Sequence, residues 1–148
     1  WGSVGSWIDP SAGYSLAISM IEEKNVDIIM QEADLSGRGI ITACIEKDVL
    51  VIGTYQDQWT LAPEHIITSV ALNHTDILDE AIQRILNGTW EEVGGKILEP
   101  GLAEGAVYVA PYHMFEDEIP DSVKAKIISV KEDIIAGTIY VPTLEDIM

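Results

Sequence analysis

Three histidines, one cysteine and 25 carboxylates are the side chains of this sequence that could ligate a metal or move a proton. Their spacing argues against both uses. His65, His74 and His113 do not pair at the intervals that close a zinc site. His65 borders an apolar stretch, His74 stands near a helix start, and His113 follows Pro111-Tyr112 in a loop. Each is read as a surface or internally satisfied histidine. Cys44 alone can form neither an internal disulfide nor a cysteine-based zinc cluster. It sits in the run Ile40-Ile41-Thr42-Ala43-Cys44-Ile45, where a buried, inert thiol is expected. Glu22-Glu23, Glu91-Glu92 and Glu116-Asp117-Glu118 read as solvated charge. No Gly-x-Ser-x-Gly, His-Glu-x-x-His or phosphate-loop Gly-Lys-Ser/Thr occurs, although these motifs mark the common hydrolytic and nucleotide sites. The stretch Gly37-Arg38-Gly39 is too short for a dinucleotide fingerprint. The residues therefore point away from catalysis, and no metal or cofactor is expected.

Size and charge narrow the remaining classes. The chain has 148 residues, 47% of them hydrophobic, which suits one ordinary domain with a core. Its net charge is −17, with only eight Lys and Arg. Nucleic-acid binding needs a basic face, so no nucleic-acid partner is expected. Anionic membrane surfaces repel such a chain for the same reason. No apolar run approaches the roughly 20 residues of a membrane span, and no signal peptide is visible. The sequence opens at Trp1, in what reads as the end of a strand. We therefore expect that further sequence precedes it.

Around these groups, apolar periodicity switches repeatedly between 2 and 3.6. Residues 4–7 read as a short strand or strand end. Asp9-Pro10-Ser11 is a helix start, because Asp9 can cap and Pro10 fits the first turn. That helix runs to about Lys24 and Asn25 breaks it. Residues 26–30 and 49–53 are buried apolar strands, separated by a glycine-bearing loop over 33–39 and a helix over about 39–47. Residues 65–72 are strand-like and 76–87 helical, with Gly88 a good stop. A strand over 106–110 and a helix from Pro120-Asp121 to about Ala136 follow. Successive strand–helix units predict an α/β fold, a three-layer parallel sheet with flanking helices.

Several phrases together resemble one family, the basic membrane protein (purine-nucleoside receptor) type of ABC-transporter solute-binding lipoprotein. Gly5-Ser6-Trp7-Ile8-Asp9-Pro10 resembles its Gly-Ser-Phe-x-Asp-Pro turn. Val26-Asp27-Ile28-Ile29-Met30-Gln31 resembles its Ala-Asp-Val-Ile-Phe-Gln strand, and Gly37-x-Gly39 falls where its glycine-rich loop falls. Ile52-Gly53-Thr54-Tyr55-Gln56-Asp57-Gln58 is similar to Ile-Gly-Val-Asp-Ser-Asp-Gln. Ile67-Thr68-Ser69-Val70, Gly94-Gly95-Lys96, Ala110-Pro111 and Ile119-Pro120-Asp121-x-Val123-Lys124 continue the order. The resemblance covers nearly the whole chain.

The resemblance implies a two-lobed receptor of the type I periplasmic-binding-protein fold. Such a receptor closes around a small ligand, often a purine nucleoside, and hands it to an ABC permease. It implies an extracytoplasmic, lipid-anchored location, with no signal or anchor in these residues. Residues 1–148 would be the C-terminal portion, without the first lobe and without the opening strand and helix of the second. Residues 66–88 would belong to the other lobe. Their helix would then expose an apolar face, and a homodimer covering bare faces is a further expectation. The implied ligand residues are Trp7, Met30, Gly37, Tyr55, Asp57 and Leu72. Met30 aligns with a stacking Phe, Tyr55 with an Asp expected to hold a ribose hydroxyl, and Leu72 with a Lys. Asp57 and Gln58 match the family's second Asp and its Gln. Replacing a carboxylate and an ammonium removes charge-assisted hydrogen bonds worth about 1.5–3 kcal/mol each, which implies altered specificity. Met30, Gly37, Tyr55 and Asp57 all lie just past strand ends, where ligands of parallel sheets bind. Trp7 is equally read as packing at a helix start, and Asp57 as a cap on the next element. A ligand-sensing or regulatory protein on the same fold, and an unrelated α/β enzyme with a carboxylate site, stay open.

Overall fold

The computed structural model describes residues 1–143 and Asp146. Asp9 caps helix α1, Pro10–Lys24, by accepting from the amides of Ser11 and Ala12 at 2.9 and 3.1 Å. Pro10 occupies the first turn, where no amide donor is required. Asn25 ends α1 in the left-handed conformation at φ 52°, which asparagine tolerates. Then come β1 (Ile28–Met30), α2 (Gly37–Glu46), β2 (Leu50–Tyr55), β3 (Ile66–Leu72), α3 (His74–Leu86), β4 (Val107–Val109) and α4 (Asp121–Ile135).

The four strands form one sheet in the order β1-β2-β3-β4. β1 pairs parallel with β2, Ile29 beside Val51, and β2 pairs parallel with β3, Gly53 beside Ser69. β4 runs the other way. Ala110 N donates to Ser69 O and Asn73 N donates to Ala106 O, both at 2.8 Å, so the partner numbers rise on one strand as they fall on the other. The α/β class is as expected, while the sheet is mixed rather than all parallel. An antiparallel strand at the edge of a parallel sheet is a common arrangement. Residues 4–7, expected as a strand end, have no sheet partner, and the strand expected over 26–30 shortens to β1.

The chain divides into two compact units. Unit 1 is Trp1–Ala71 with Val109–Asp117, and unit 2 is Leu72–Tyr108 with Glu118–Met148. Unit 1 holds the hydrophobic core: Ala17 of α1, Ile40 and Ala43 of α2, and Ile29, Val51 and Ile66 of the strands pack together. Glycines let the two helices touch backbone to backbone. A Cβ on Gly39 would strike the Pro10 carbonyl and stand 2.8 Å from Tyr14 N. One on Gly13 would collide with the Ser36 carbonyl group.

Cys44 lies in this core, fully buried, and burial pushes its thiol up to about 11. The thiolate is the reactive form. A maleimide or iodoacetamide label at pH 8 is therefore expected to modify Cys44 at least tenfold more slowly in the native chain than in denaturant, read by mass spectrometry. Equal rates would show that the α2 face is open.

Unit 2 is built differently. Neither α3 nor α4 has a buried residue. Asn73 caps α3 through Asp76 N, and Arg84 pairs with Glu80 one turn away at 2.6 Å. Leu78, Ile82 and Ile85 form an exposed apolar stripe on α3, and Val123, Ile127 and Ile128 are exposed on α4. The expected bare face of the 66–88 segment is thus present on α3. No described helix is long and apolar enough to cross a membrane.

Candidate functional site

The carboxyl ends of β1 and β2, with the turn before α1, gather most of the residues singled out from the sequence. The turn is fixed by Ser36, a fully buried serine that sequence reasoning passed over. Its hydroxyl donates to Ser6 O at 2.8 Å and accepts from Asp9 N at 2.8 Å, while its amide donates to Trp7 O at 3.1 Å. Three bonds from Ser36, the residue just before α2, therefore fix the backbone turn that carries Trp7. The Trp7 ring is 62% exposed, more than a packing residue needs.

Met30 ends β1 and is 55% exposed. Trp7 and Met30 line the same cleft, of about 800 Å³, together with Gln31 and Glu32. That volume is of the size that small-molecule sites occupy. Gln31 is 2% exposed. Its side-chain amide donates to Gln58 Oε1 at 2.8 Å, and its carbonyl oxygen accepts from Ala33 N at 3.2 Å. The two glutamines thereby tie the loop after β1 to the loop after β2.

Gly37 backs onto this tie, and a side chain there would overlap the Gln31 amide. The structure puts Gly37 and Gly39 in the first turns of α2, and not in an open loop. Their glycine character is accounted for by close packing. Gly53 is similar: a Cβ there would meet Ser69 Oγ at 2.5 Å and Gln58 Oε1 at 2.8 Å.

Tyr55 closes β2 in the left-handed region at φ 67° and is exposed. A non-glycine residue there is uncommon and marks either strain or function. Asp57 is fully engaged within the fold. Its Oδ1 accepts from Trp59 N at 3.1 Å and its Oδ2 pairs with His113 Nε2 at 2.7 Å. The His113 ring stacks on Trp59, centroids 4.5 Å apart and planes 16° from parallel. Asp57 closes a local turn onto Trp59 N and does not cap the short helix Trp59–Leu61, whose N-cap is Gln58 without a side-chain bond, and His113 is a satisfied histidine. Thr54 Oγ1 and Trp59 Nε1, beside this cluster in sequence, are buried side-chain atoms with no hydrogen-bond partner. Leu72 is half-buried and belongs to unit 2.

Among the described residues no group of three or more His, Cys, Asp or Glu is placed to hold a metal. Glu104 and Asp146 are held below the usual carboxylate range, Glu104 by the Gly101 amide and Asp146 by the Tyr140 hydroxyl. The cleft offers an aromatic face at Trp7, a soft thioether face at Met30 and polar groups at its mouth.

Basic membrane protein B of Borrelia garinii subsp. bavariensis is 41% identical over 115 residues, covering 75% of this chain and 33% of that protein. Basic membrane protein A of Borreliella afzelii is 34% identical over 142 residues, covering 94% of this chain and 42% of that protein. Among solved structures, an ABC transporter solute-binding protein from Aeropyrum pernix K1 matches 99% of this chain and 48% of its own, with a TM-score of 0.82 and 22% identity. A transcriptional activator of the comK gene from Bacillus halodurans matches 93% of this chain and 46% of its own, with a TM-score of 0.74 and 20% identity. The chain spans between a third and a half of these proteins. The sequence profile of the PnrA-like ABC transporter substrate-binding proteins matches residues 2–145, so from end to end this chain belongs to that family.

Proposed function

We propose that the chain is the ligand-contacting portion of an extracytoplasmic receptor that captures a small polar solute for an ABC permease, without covalent chemistry. The observation that carries this reading is the cleft at the carboxyl end of β1, where Trp7 offers an aromatic face and Met30 a thioether face beside Gln31 and Glu32. Ligands of parallel sheets sit at such ends. The flat base of a purine nucleoside suits these two faces. Tyr55 and Leu72, in place of a carboxylate and an ammonium, favour a solute that asks less of the ribose hydroxyls. Gly37 and Asp57 act in this reading as supports, one spacing Gln31 and the other holding the loop after β2. Unit 1 is assigned to the second lobe of the receptor. Unit 2, with hardly any buried apolar side chain of its own, is assigned to the first lobe, whose remainder would cover α3 and α4. In isolation the chain would cover those faces by dimerising. Lipid anchoring outside the membrane belongs to the same proposal.

A second reading, a ligand sensor on this fold, has the Bacillus halodurans activator as its support. A thermal-shift screen of the receptor carrying this chain tests solute capture, because a ligand raises the melting point by mass action. We expect a rise of several degrees with a purine nucleoside, base or related solute, and loss of that rise in Trp7→Ala. Silence across nucleosides, bases, sugars and amino acids would reject solute capture.

A further inference from the structure

We infer that Gln58 meets the ligand as a fixed hydrogen-bond donor, and that the solute it selects is an oxopurine of the hypoxanthine type rather than adenine. The inference rests on the solute-capture reading above and names the base edge that the receptor recognises. Gln58 thereby becomes a specificity-determining residue, and Gln31 the residue that positions it.

The direction of the amide is set from the backbone outward. A side-chain amide has a donor end and an acceptor end, and only its partners tell which way it points. Ala33 N is a backbone donor, so the Gln31 atom that meets it at 3.2 Å is the oxygen. That leaves Gln31 Nε2 to face Gln58, and the Gln58 atom that meets it at 2.8 Å must accept. Turning Gln31 over would set two donors against each other at Ala33. Gln31 is 2% exposed, and a buried polar group left unpaired costs its full desolvation penalty. The relay therefore runs one way, with Gln58 Oε1 inward and its amide nitrogen outward.

The surroundings hold this arrangement. A Cβ on Gly37 would overlap Gln31 Oε1, and one on Gly53 would stand 2.8 Å from Gln58 Oε1, so that oxygen lies close against β2. The Gln58 amide N–H donates to Ser69 Oγ at 3.1 Å, and its carbonyl accepts from Leu61 N at 2.9 Å. The side-chain nitrogen is different. Among the described residues Gln58 Nε2 has no hydrogen-bond partner, and the buried unpartnered side-chain atoms are Thr54 Oγ1 and Trp59 Nε1. Both N–H bonds of Gln58 therefore face solvent. They do so just past the end of β2, where parallel sheets bind ligands.

One base edge complements such a group. An unrestrained glutamine reads adenine by donating to N7 while accepting from the N6 amino group. Gln58 has committed its oxygen to Gln31 and offers donors alone. The adjacent O6 and N7 acceptors of an oxopurine suit two N–H bonds on one nitrogen. Asp57, next in sequence, supplies no competing acceptor, since its two oxygens are engaged by Trp59 N and His113.

Inosine and adenosine are the probes, because they differ only along this edge. With the receptor that carries this chain, calorimetry should show inosine binding about tenfold tighter, the worth of one hydrogen bond. Gln58→Glu keeps an acceptor for Gln31 and removes both donors. It should leave the melting point of the free receptor essentially unchanged and reverse the preference, since a carboxylate accepts from the adenosine amino group. A purely structural tie would weaken both nucleosides alike. In the unaltered receptor, isotope-labelled in glutamine, inosine should also move the Gln58 side-chain amide resonance more than adenosine does. Equal affinity for the two nucleosides would overturn the inference, as would a preference that survives Gln58→Glu, or a Gln58 amide signal indifferent to bound inosine. These results would leave solute capture standing. Silence toward both nucleosides would remove purine capture itself, and this inference with it.

Discussion

Gly39→Ala is expected to destabilise the chain by about 3 kcal/mol, the upper range for forcing volume into a packed interface. The sign is what makes the test useful. At an unhindered helix position the same change stabilises by about 1 kcal/mol, since alanine is the better helix former. Gly39 lies inside α2, so propensity alone predicts a gain. Packing predicts the loss, because the new Cβ would overlap the Pro10 carbonyl and sit 2.8 Å from Tyr14 N. Both obstacles are backbone of α1, which cannot swing aside as a side chain can. The helices would have to separate along the contact that also buries Ala17, Ile40 and Ala43. Urea denaturation reads the outcome directly. A fall in midpoint with unchanged slope supports the close crossing, and a rise would show that the helices stand further apart. At two to four degrees per kcal/mol for a chain of this size, the melting point should drop by roughly 6–12 °C.

That glycine also shows where the sequence was legible and where it was not. Periodicity and punctuation located α1, β2, β3, α3 and α4 to within a few residues, because Asp9-Pro10, Asn25 and Gly88 are local signals read without tertiary knowledge. Gly37-Arg38-Gly39 was read as part of a loop because glycines after a strand usually turn the chain. Here their cause is a second helix lying against them, and nothing within a few residues encodes that. The direction of β4 was equally hidden. A strand of three residues carries no mark of its sense, which follows from its pairing with β3 alone.

The site divides along the same line. Family phrases brought Trp7 and Met30 forward, and the structure sets both on one cleft. Ser36, which anchors the Trp7 turn by three hydrogen bonds, is an ordinary serine in sequence, and its use depends on α2 lying beside residues 6–9. The bond of Asp57 to Trp59 N is a local turn two positions long, not the helix cap that the sequence suggested. The other partner of Asp57, His113, was not legible, being 56 residues away. A lone histidine in a loop is more often satisfied than functional, and here that general expectation was a better guide than any motif.

Asp57→Ala is expected to cost about 3 kcal/mol, and its effect should fall on stability more than on ligand affinity. Two terms make up the figure. Losing the local hydrogen bond from Trp59 N costs about 1 kcal/mol, and losing a charged hydrogen bond to His113 costs about 1.5–3 kcal/mol. The lower half of that second range applies, because the two side chains are 23% and 33% exposed and water screens the pair in part. Asp57→Asn keeps an acceptor for Trp59 N and a neutral partner for the imidazole, so about 1 kcal/mol is expected there. His113→Ala loses the pair and the stack on Trp59, and leaves alanine at φ 49°. Aspartate, asparagine and histidine populate that left-handed region more readily than alanine does, so about 2–3 kcal/mol is expected. The double variant decides whether the two residues act together. If the pair clips residues 109–117 to the loop after β2, Asp57→Ala and His113→Ala should couple by about 1–2 kcal/mol in a thermodynamic cycle. Simple additivity would mean that each holds its own segment independently. Were Asp57 instead free to hold a solute, its removal would leave the melting point nearly unchanged and abolish the ligand-induced rise. With one oxygen on Trp59 N and the other on His113, the reverse order of effects is the one this fold requires.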